Sequence, residues 1–301
     1  MAGVLAVAAV GTQISYPLTH GDARDRVSIA VVLLWAASCA VHAAATRGTR
    51  WMTGLLVVTA GGGLIVEMLG TATGVPFGSY TYASGRLGPE LAGVPLLIGA
   101  AWTAGAYPAW CAAERLAQRR GLRVVLAAVG LAAWDLYLDP QMVADGRWRW
   151  APGSTALPGL AGIPLSNYVS WLLTALVMAL ALSALPRPVR RHSDVVPIGL
   201  YLWTWLGSGL AHVAFLGLPV SAAYGFLAMG VLGVPLLWNL RRAGAATRLQ
   251  AHGRLARWAR APFGDRTLPH APDARAGRGA AHRGALAQRV PSRPDQHGDI
   301  R

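Results

Sequence analysis

Three acidic residues stand inside or at the edge of apolar stretches of the sequence: Glu67, Asp135 and Asp139. A carboxyl group in a membrane segment is costly, so acids in such positions are candidates for function. An acid that keeps its proton in a poorly hydrated site can act as a general acid, and an ionised one can act as a base. These residues therefore indicate proton-transfer chemistry, with a structural role at a helix end as the alternative for each.

Asp135 and Asp139 are four positions apart, which places both on one face of a helix. Two carboxyl groups this close repel each other when both are charged, so one of them is expected to retain a proton. Pro140 follows directly and is expected to end the helix.

Each acidic stretch is followed by a loop rich in Gly, Pro and aromatic residues, and then by a further apolar run. The two further runs begin at Pro95 and Pro164, and each has a Trp seven residues later, at Trp102 and Trp171. Seven residues are close to two helical turns, so each Trp lies near the face that begins at its proline. The pattern predicts two acid–loop–helix units that face one site.

Aromatic residues concentrate around the acids. We expect them to form a pocket for an apolar ligand whose reacting end becomes positively charged, because aromatic faces stabilise cations. The alternative is an aromatic belt at the membrane interface, which is the favoured interpretation for Trp148 and Trp150. Tyr80 and Tyr82 follow Glu67, and Trp134 and Tyr137 flank Asp135.

The elements that must position these residues are membrane helices. The 301-residue chain is 54% hydrophobic and 13% charged, whereas an ordinary soluble domain has about 25% charged residues. The sequence therefore predicts an all-α, polytopic transmembrane helical bundle of seven or eight helices. The apolar runs lie at about 4–18, 27–46, 51–70, 95–113, 122–138, 164–185, 195–217 and 222–240.

Arginines fall in alternate loops, which orients the chain in the plasma membrane with both termini in the cytoplasm. The motif loops 71–94 and 139–163 then lie on the outer side. The loop arginines on the cytoplasmic side are Arg47, Arg50, Arg115, Arg119, Arg120, Arg123, Arg187, Arg190 and Arg191.

Most of the net charge of +14 sits at the C-terminal end. Residues 241–301 contain thirteen Arg and four acids, which accounts for +9. This segment lacks a sustained hydrophobic periodicity, so we expect a transmembrane domain at 1–242 and a disordered, Arg-rich cytoplasmic tail at 243–301. Charge distributed in this way suits contact with membrane lipids, and no nucleic-acid partner is expected.

Several classes of function are excluded. All 27 basic residues are Arg, and without a Lys amine the chain cannot form a retinal Schiff base. His42 and His212 are isolated in the sequence, so no metal site is expected. No Walker sequence, dinucleotide-binding fingerprint or Ser nucleophile elbow lies in a fitting sequence context.

Four segments resemble the membrane-bound carotenoid biosynthesis proteins, a family that includes bisanhydrobacterioruberin hydratase and carotenoid 1-hydratases. They are EMLGTATGVPFGSYTY from Glu67, GPELAGVPLLIGAAW at 88–102, AWDLYLDPQMV at 133–143 and GIPLSNYVSW at 162–171. The resemblance implies a hydratase without a cofactor, which adds water to the terminal isoprenoid double bond of a long acyclic carotenoid.

On this resemblance, Asp135 is expected to donate the proton, and Glu67 or Asp139 to position water. A lipophilic carotenoid is the expected ligand, and other carotenoid biosynthesis enzymes are further candidate partners. The residues expected to line the substrate site are Tyr80, Tyr82, Trp102, Trp134, Tyr137, Asn167 and Trp171.

Two other functions stay open at this point. A carotenoid cyclase also begins by protonating a double bond, but it must exclude water. A non-catalytic carotenoid or lipid carrier, or a transporter, would use the apolar pocket without chemistry.

Overall fold

The computed structural model describes residues 1–186 and 193–260, with side chains up to residue 242. Helices occupy all eight predicted apolar runs in this part of the chain. They are α1 Ala2–Ser15, α2 Gly21–Arg47, α3 Thr49–Leu56, α4 Gly62–Thr73, α5 Leu97–Leu116, α6 Arg120–Ala144, α7 Leu165–Ala184, α8 Val195–Ala214 and α9 Pro219–Arg260. A 3₁₀ turn, Tyr16–Leu18, follows α1, and a π-helical turn, Val57–Gly61, joins α3 to α4.

Among the described residues, five helices are long and apolar enough to cross a membrane, which agrees with an all-α membrane protein. They are Gly21–Arg47, Thr49–Thr73, Arg120–Ala144, Leu165–Ala184 and Pro219–Arg242. The apolar helix Ala2–Leu18 is shorter than the stretch of about 20 apolar residues that a helix needs to span a bilayer. The expected count of seven or eight crossings therefore stays a prediction.

The chain divides into two compact units, Met1–Leu240 and Arg241–Arg301. The first unit contains α1–α8, the first part of α9 and the candidate site. In the second unit α9 continues to Arg260, which includes the start of the segment predicted to be disordered. Residues 261–301 lie outside the described residues, so the disorder and the domain boundary stay predictions.

The two motif loops are not simple connectors, because they contain short strands. These are β1 Tyr80–Tyr82, β2 Glu90–Leu91, β3 Val94–Pro95 and β4 Trp148–Trp150. Strand β1 of the first loop pairs with β4 of the second in antiparallel register, and β2 pairs with β3. The sheet between β1 and β4 joins the two acid–loop–helix units.

Helix α6 continues through Pro140 to Ala144, so the expectation that this proline ends the helix is wrong. Proline has no N–H to donate to the carbonyl of Leu136, four residues earlier. Ser221 Oγ of α9 donates to that carbonyl at 2.7 Å, and His212 Nε2 of α8 lies 3.1 Å from the carbonyl oxygen of Tyr137. Neighbouring helices thus supply the partners that the proline cannot.

Candidate active site

The sheet between the two loops carries a face of four aromatic rings. Tyr80 is opposite Trp150 and Tyr82 is opposite Trp148. Alternate residues of a strand point to opposite sides, so these four rings share one side, while Thr81 and Arg149 are exposed on the other. The aromatic side faces a cavity in the first unit.

This cavity, which we call the acid cavity, has about 680 Å³ of empty space including its mouth. Its wall is mainly apolar and aromatic, and three ionisable side chains other than Tyr lie in it: Glu67, Asp139 and Arg147. Its other lining residues include Ser28, Val32, Phe77, Leu97, Ile98, Trp102, Leu138, Met142, Asn167 and Trp171. Both acid–loop–helix units therefore contribute to one cavity.

Glu67 is buried on α4 and accepts three side-chain hydrogen bonds. The hydroxyls of Tyr80 and Tyr82 both donate to Oε2, the second at 2.8 Å, and Trp102 Nε1 donates to Oε1 at 3.1 Å. Donors on both oxygens hold the carboxyl group in one orientation at the cavity wall.

The two tyrosines donate to Glu67 from the loop strand. Removal from water raises the pKa of Tyr80 and of Tyr82 above the usual value, and the nearby Glu67 carboxyl adds to this effect. Both side chains therefore remain protonated phenols at physiological pH, and their hydroxyls can donate to Glu67.

Asp135 and Asp139 form an acid pair on α6. Asn167 Nδ2 donates to Oδ2 of both residues, at 3.0 Å for Asp135, and Trp148 Nε1 donates to Asp139 Oδ1 at 3.1 Å. One amide thus binds both carboxyl groups, and two carboxyl groups this close favour a proton on one of them. Asp135 Oδ1 is buried and accepts no hydrogen bond from the described residues.

The two acids differ in their access to the cavity. Asp139 lies in its wall, whereas Asp135 is fully buried one helical turn deeper on α6. Asp139 is therefore the member of the pair that a ligand in the cavity would meet first.

The two tryptophans predicted from the proline spacing meet at the floor of the cavity. Trp102 and Trp171 stack with ring centroids 4.0 Å apart and an interplanar angle of 14°. Trp134 packs edge-on against Trp171, at 6.4 Å and 88°. Close packing explains Gly63 on α4, because a Cβ atom there would lie 2.5 Å from Trp102.

Trp134 and Asp135 contact lining residues of the cavity without lining it themselves, whereas Tyr137 lies away from it. Its hydroxyl donates to the carbonyl of Trp205 at 3.1 Å, and its ring packs against His212 at 5.0 Å. It points from α6 towards α8, because it lies on a different side of the helix from Asp135 and Asp139.

The family profile described as "Carotenoid biosynthesis protein" matches residues 27–235. The chain belongs to this family. The matched segment contains every acidic and aromatic residue of the acid cavity.

A curated relative is the bisanhydrobacterioruberin hydratase of Haloarcula japonica, which is 29% identical over 188 residues. The alignment covers 58% of this chain and 59% of the relative, so the chain spans less than two thirds of the relative's length. No solved structure matches the chain.

Arg147 is a residue of this carotenoid biosynthesis protein that sequence reasoning missed. It is fully buried in the cavity wall, with Nε 3.1 Å from Asp25 Oδ1 and Nη1 donating to Ser28 Oγ at 2.6 Å. Arg86 of the first loop also donates to Asp25, from Nε to Oδ2 at 2.8 Å and from Nη2 to Oδ1 at 2.9 Å. These ion pairs and hydrogen bonds connect both loops to the N-terminal part of α2.

A signal for these residues was present in the sequence. Arg86 and Arg147 lie in the loops assigned to the outer side, where the distribution of positive charge in membrane proteins does not explain them. For Trp148 and Trp150 the interfacial belt was the favoured interpretation, because their pairing with Tyr82 and Tyr80 depends on contact between two distant loops.

We predict that Ser221→Ala destabilises the bundle, because the carbonyl of Leu136 then loses the donor that compensates for Pro140. Leaving this buried acceptor unpaired should lower the free energy of unfolding by about 1–3 kcal/mol. Denaturant unfolding in detergent micelles measures the change, with the exposed Ser166→Ala on α7 as the matched control. Equal stability of the two variants would show that the Ser221 bond does not support α6.

Proposed function

We propose that this protein is a carotenoid hydratase, which adds water to the terminal isoprenoid double bond of a long acyclic carotenoid. The observation that carries the proposal is an aromatic cavity with Glu67 and Asp139 in its wall and Asp135 one helical turn behind Asp139 on α6. Buried carboxyl groups are costly, and two carboxyl groups that share the amide of Asn167 favour retention of a proton that can be transferred. The name of the Haloarcula japonica relative, a hydratase, supports the same reaction.

The first step is proton transfer to the double bond. The acid pair supplies the proton through Asp139, which faces the cavity, while Asp135 shares the proton from behind. The proton bonds to the CH carbon of the terminal double bond, and the positive charge develops on the carbon that carries the two methyl groups. This assignment differs from the sequence-based one, in which Asp135 itself touches the substrate.

The second step is the capture of the cation by water. The faces of the aromatic rings stabilise the positive charge while it lasts. Water forms the C–O bond, and Glu67 accepts the proton that the water releases. The product is a tertiary alcohol, and proton exchange with water returns Glu67 and the acid pair to their starting states.

A cyclase would share the first step, but its cation must be captured by a second double bond in the absence of water. The acid cavity contains Glu67, Arg147 and Asn167, and such groups bind water. Expression in a host that makes lycopene, followed by mass analysis of the pigments, separates the two reactions. Hydration adds the mass of water, whereas cyclisation leaves the mass unchanged.

We further propose that the protein lies in the plasma membrane with both termini in the cytoplasm and the acid cavity near the outer leaflet. Membrane lipids, and other carotenoid biosynthesis enzymes that hand over the substrate, are the proposed partners. The tail from 243 is proposed to be a disordered cytoplasmic extension.

Reporter fusions test this orientation. Fusions at Gly121 and after Arg242 are expected to report the cytoplasm, because arginine-rich loops stay on that side. A fusion at Gly153, in the exposed loop after β4, should report the opposite side. An external signal at Gly121 would contradict the orientation.

A further inference from the structure

A second cavity lies deeper in the first unit than the acid cavity. It has about 490 Å³ of empty space and is lined by residues of α1, α2, α5, α6, α8 and α9. On α5 the lining moves from Ala101 in the acid cavity to Ala104 and Gly105 in this one. On α6 it moves from Asp139 to Trp134.

The two cavities adjoin each other. Val32 of α2 lines both. Trp134 lines the second cavity and packs against Trp171, which lines the first. Along α6 the lining extends from Met142 to Gly130, which is about 18 Å of helix at 1.5 Å per residue.

The wall of the second cavity suits an apolar occupant. The hydroxyl of Tyr201 donates to the carbonyl of Met229 at 3.1 Å, and that of Thr204 donates to the carbonyl of Leu200 at 3.0 Å. Gln13 Oε1 accepts from Trp203 Nε1 at 2.8 Å. These oxygens are already paired within the protein, so the remaining wall attracts hydrocarbon rather than a polar ligand.

We propose that the second cavity binds the polyene chain of the carotenoid whose reacting end lies in the acid cavity. The inference rests on the proposed function for the identity of the ligand. A conjugated chain is rigid and cannot fold back within the acid cavity, so it must leave along a path that continues from the reacting end. Val32, which lines both cavities, and the indoles of Trp134 and Trp171 mark the neck through which this path would pass inside the bundle.

The test blocks this path at two places. Val32→Trp fills the neck, and Thr204→Phe fills the second cavity without reaching the first. The matched controls are Leu33→Trp and Leu206→Phe on the same two helices, where the side chains are 51% and 44% exposed. Each protein is purified from a lycopene-producing host, and the carotenoid retained per protein, as lycopene and hydrated product together, is measured after detergent washing.

Both blocking variants are expected to retain about tenfold less carotenoid than the parent, since small changes in the shape of an apolar pocket have effects of this size. The controls should stay within about twofold of the parent. Size-exclusion chromatography identifies a variant that does not fold. The retention measured for the other blocking variant then tests the inference. Parent-like retention in a folded blocking variant would overturn the inference.

Retention requires no turnover, so the result is independent of the reaction. A parent that retains lycopene without hydrating it would contradict the proposed function and leave the chain-binding site in place. Hydration by the parent together with parent-like retention in the blocking variants would support the proposed function and overturn the chain-binding site.

Discussion

Asp139→Asn is expected to lower the rate of hydration by about a hundredfold or more, which is the range for the loss of a general acid. Asn has the size of Asp and can accept the hydrogen bond from Asn167 through its carbonyl oxygen, but it has no transferable proton. Asp135→Asn should cause a loss of similar order, because Asp139 then loses the neighbouring carboxyl group whose charge favours a proton on the pair. The measurement is hydrated product per membrane-inserted protein.

Glu90→Gln is the matched control for this pair. Glu90 lies in the first loop, where it accepts from the backbone N–H of Gly85 at 2.7 Å, and it is remote in sequence and role from the cavity acids. The Glu90→Gln substitution should leave turnover within about twofold of the parent, because it changes a side chain outside the acid cavity. Near-normal turnover in both Asp135→Asn and Asp139→Asn would show that the acid pair is structural.

Glu67→Gln is expected to lower hydration by about a hundredfold as well, because the amide cannot accept the proton that the attacking water releases. The amide also places an N–H₂ group where Tyr80, Tyr82 or Trp102 donates, so one of these bonds is lost. Turnover and retained carotenoid are measured together, since loss of the base should reduce the first and spare the second.

Tyr82→Phe provides the comparison for Glu67. It removes one of three donors to the carboxyl group and leaves the carboxyl itself, so the loss of turnover should be about tenfold, in line with one charge-assisted hydrogen bond. A larger loss in Tyr82→Phe than in Glu67→Gln would mean that the phenol, rather than the carboxyl group, performs the proton transfer.

Much of the site was predictable from sequence because its signals are local. The acids stand out since charged groups are rare in apolar runs, and the spacing from Pro95 to Trp102 and from Pro164 to Trp171 placed both indoles in the site. The stack of these two indoles agrees with the expectation that the two units face each other.

The rest depends on contacts between distant segments. The pairing of β1 with β4, and hence the role of Trp148 and Trp150, follows from a fold in which two loops meet. The continuation of α6 beyond Pro140 depends on Ser221, which lies on another helix. Tyr137 was assigned to the site from its proximity to Asp135 in the sequence, although the helical turn directs it towards α8.

The most direct test of acid-catalysed hydration uses purified protein in lipid vesicles with lycopene and water labelled with heavy oxygen. The account predicts a tertiary alcohol that carries the label, formed without any added cofactor and abolished by combining Asp139→Asn with Glu67→Gln. A product of unchanged mass, or a hydroxyl group whose oxygen comes from air rather than from water, would contradict it.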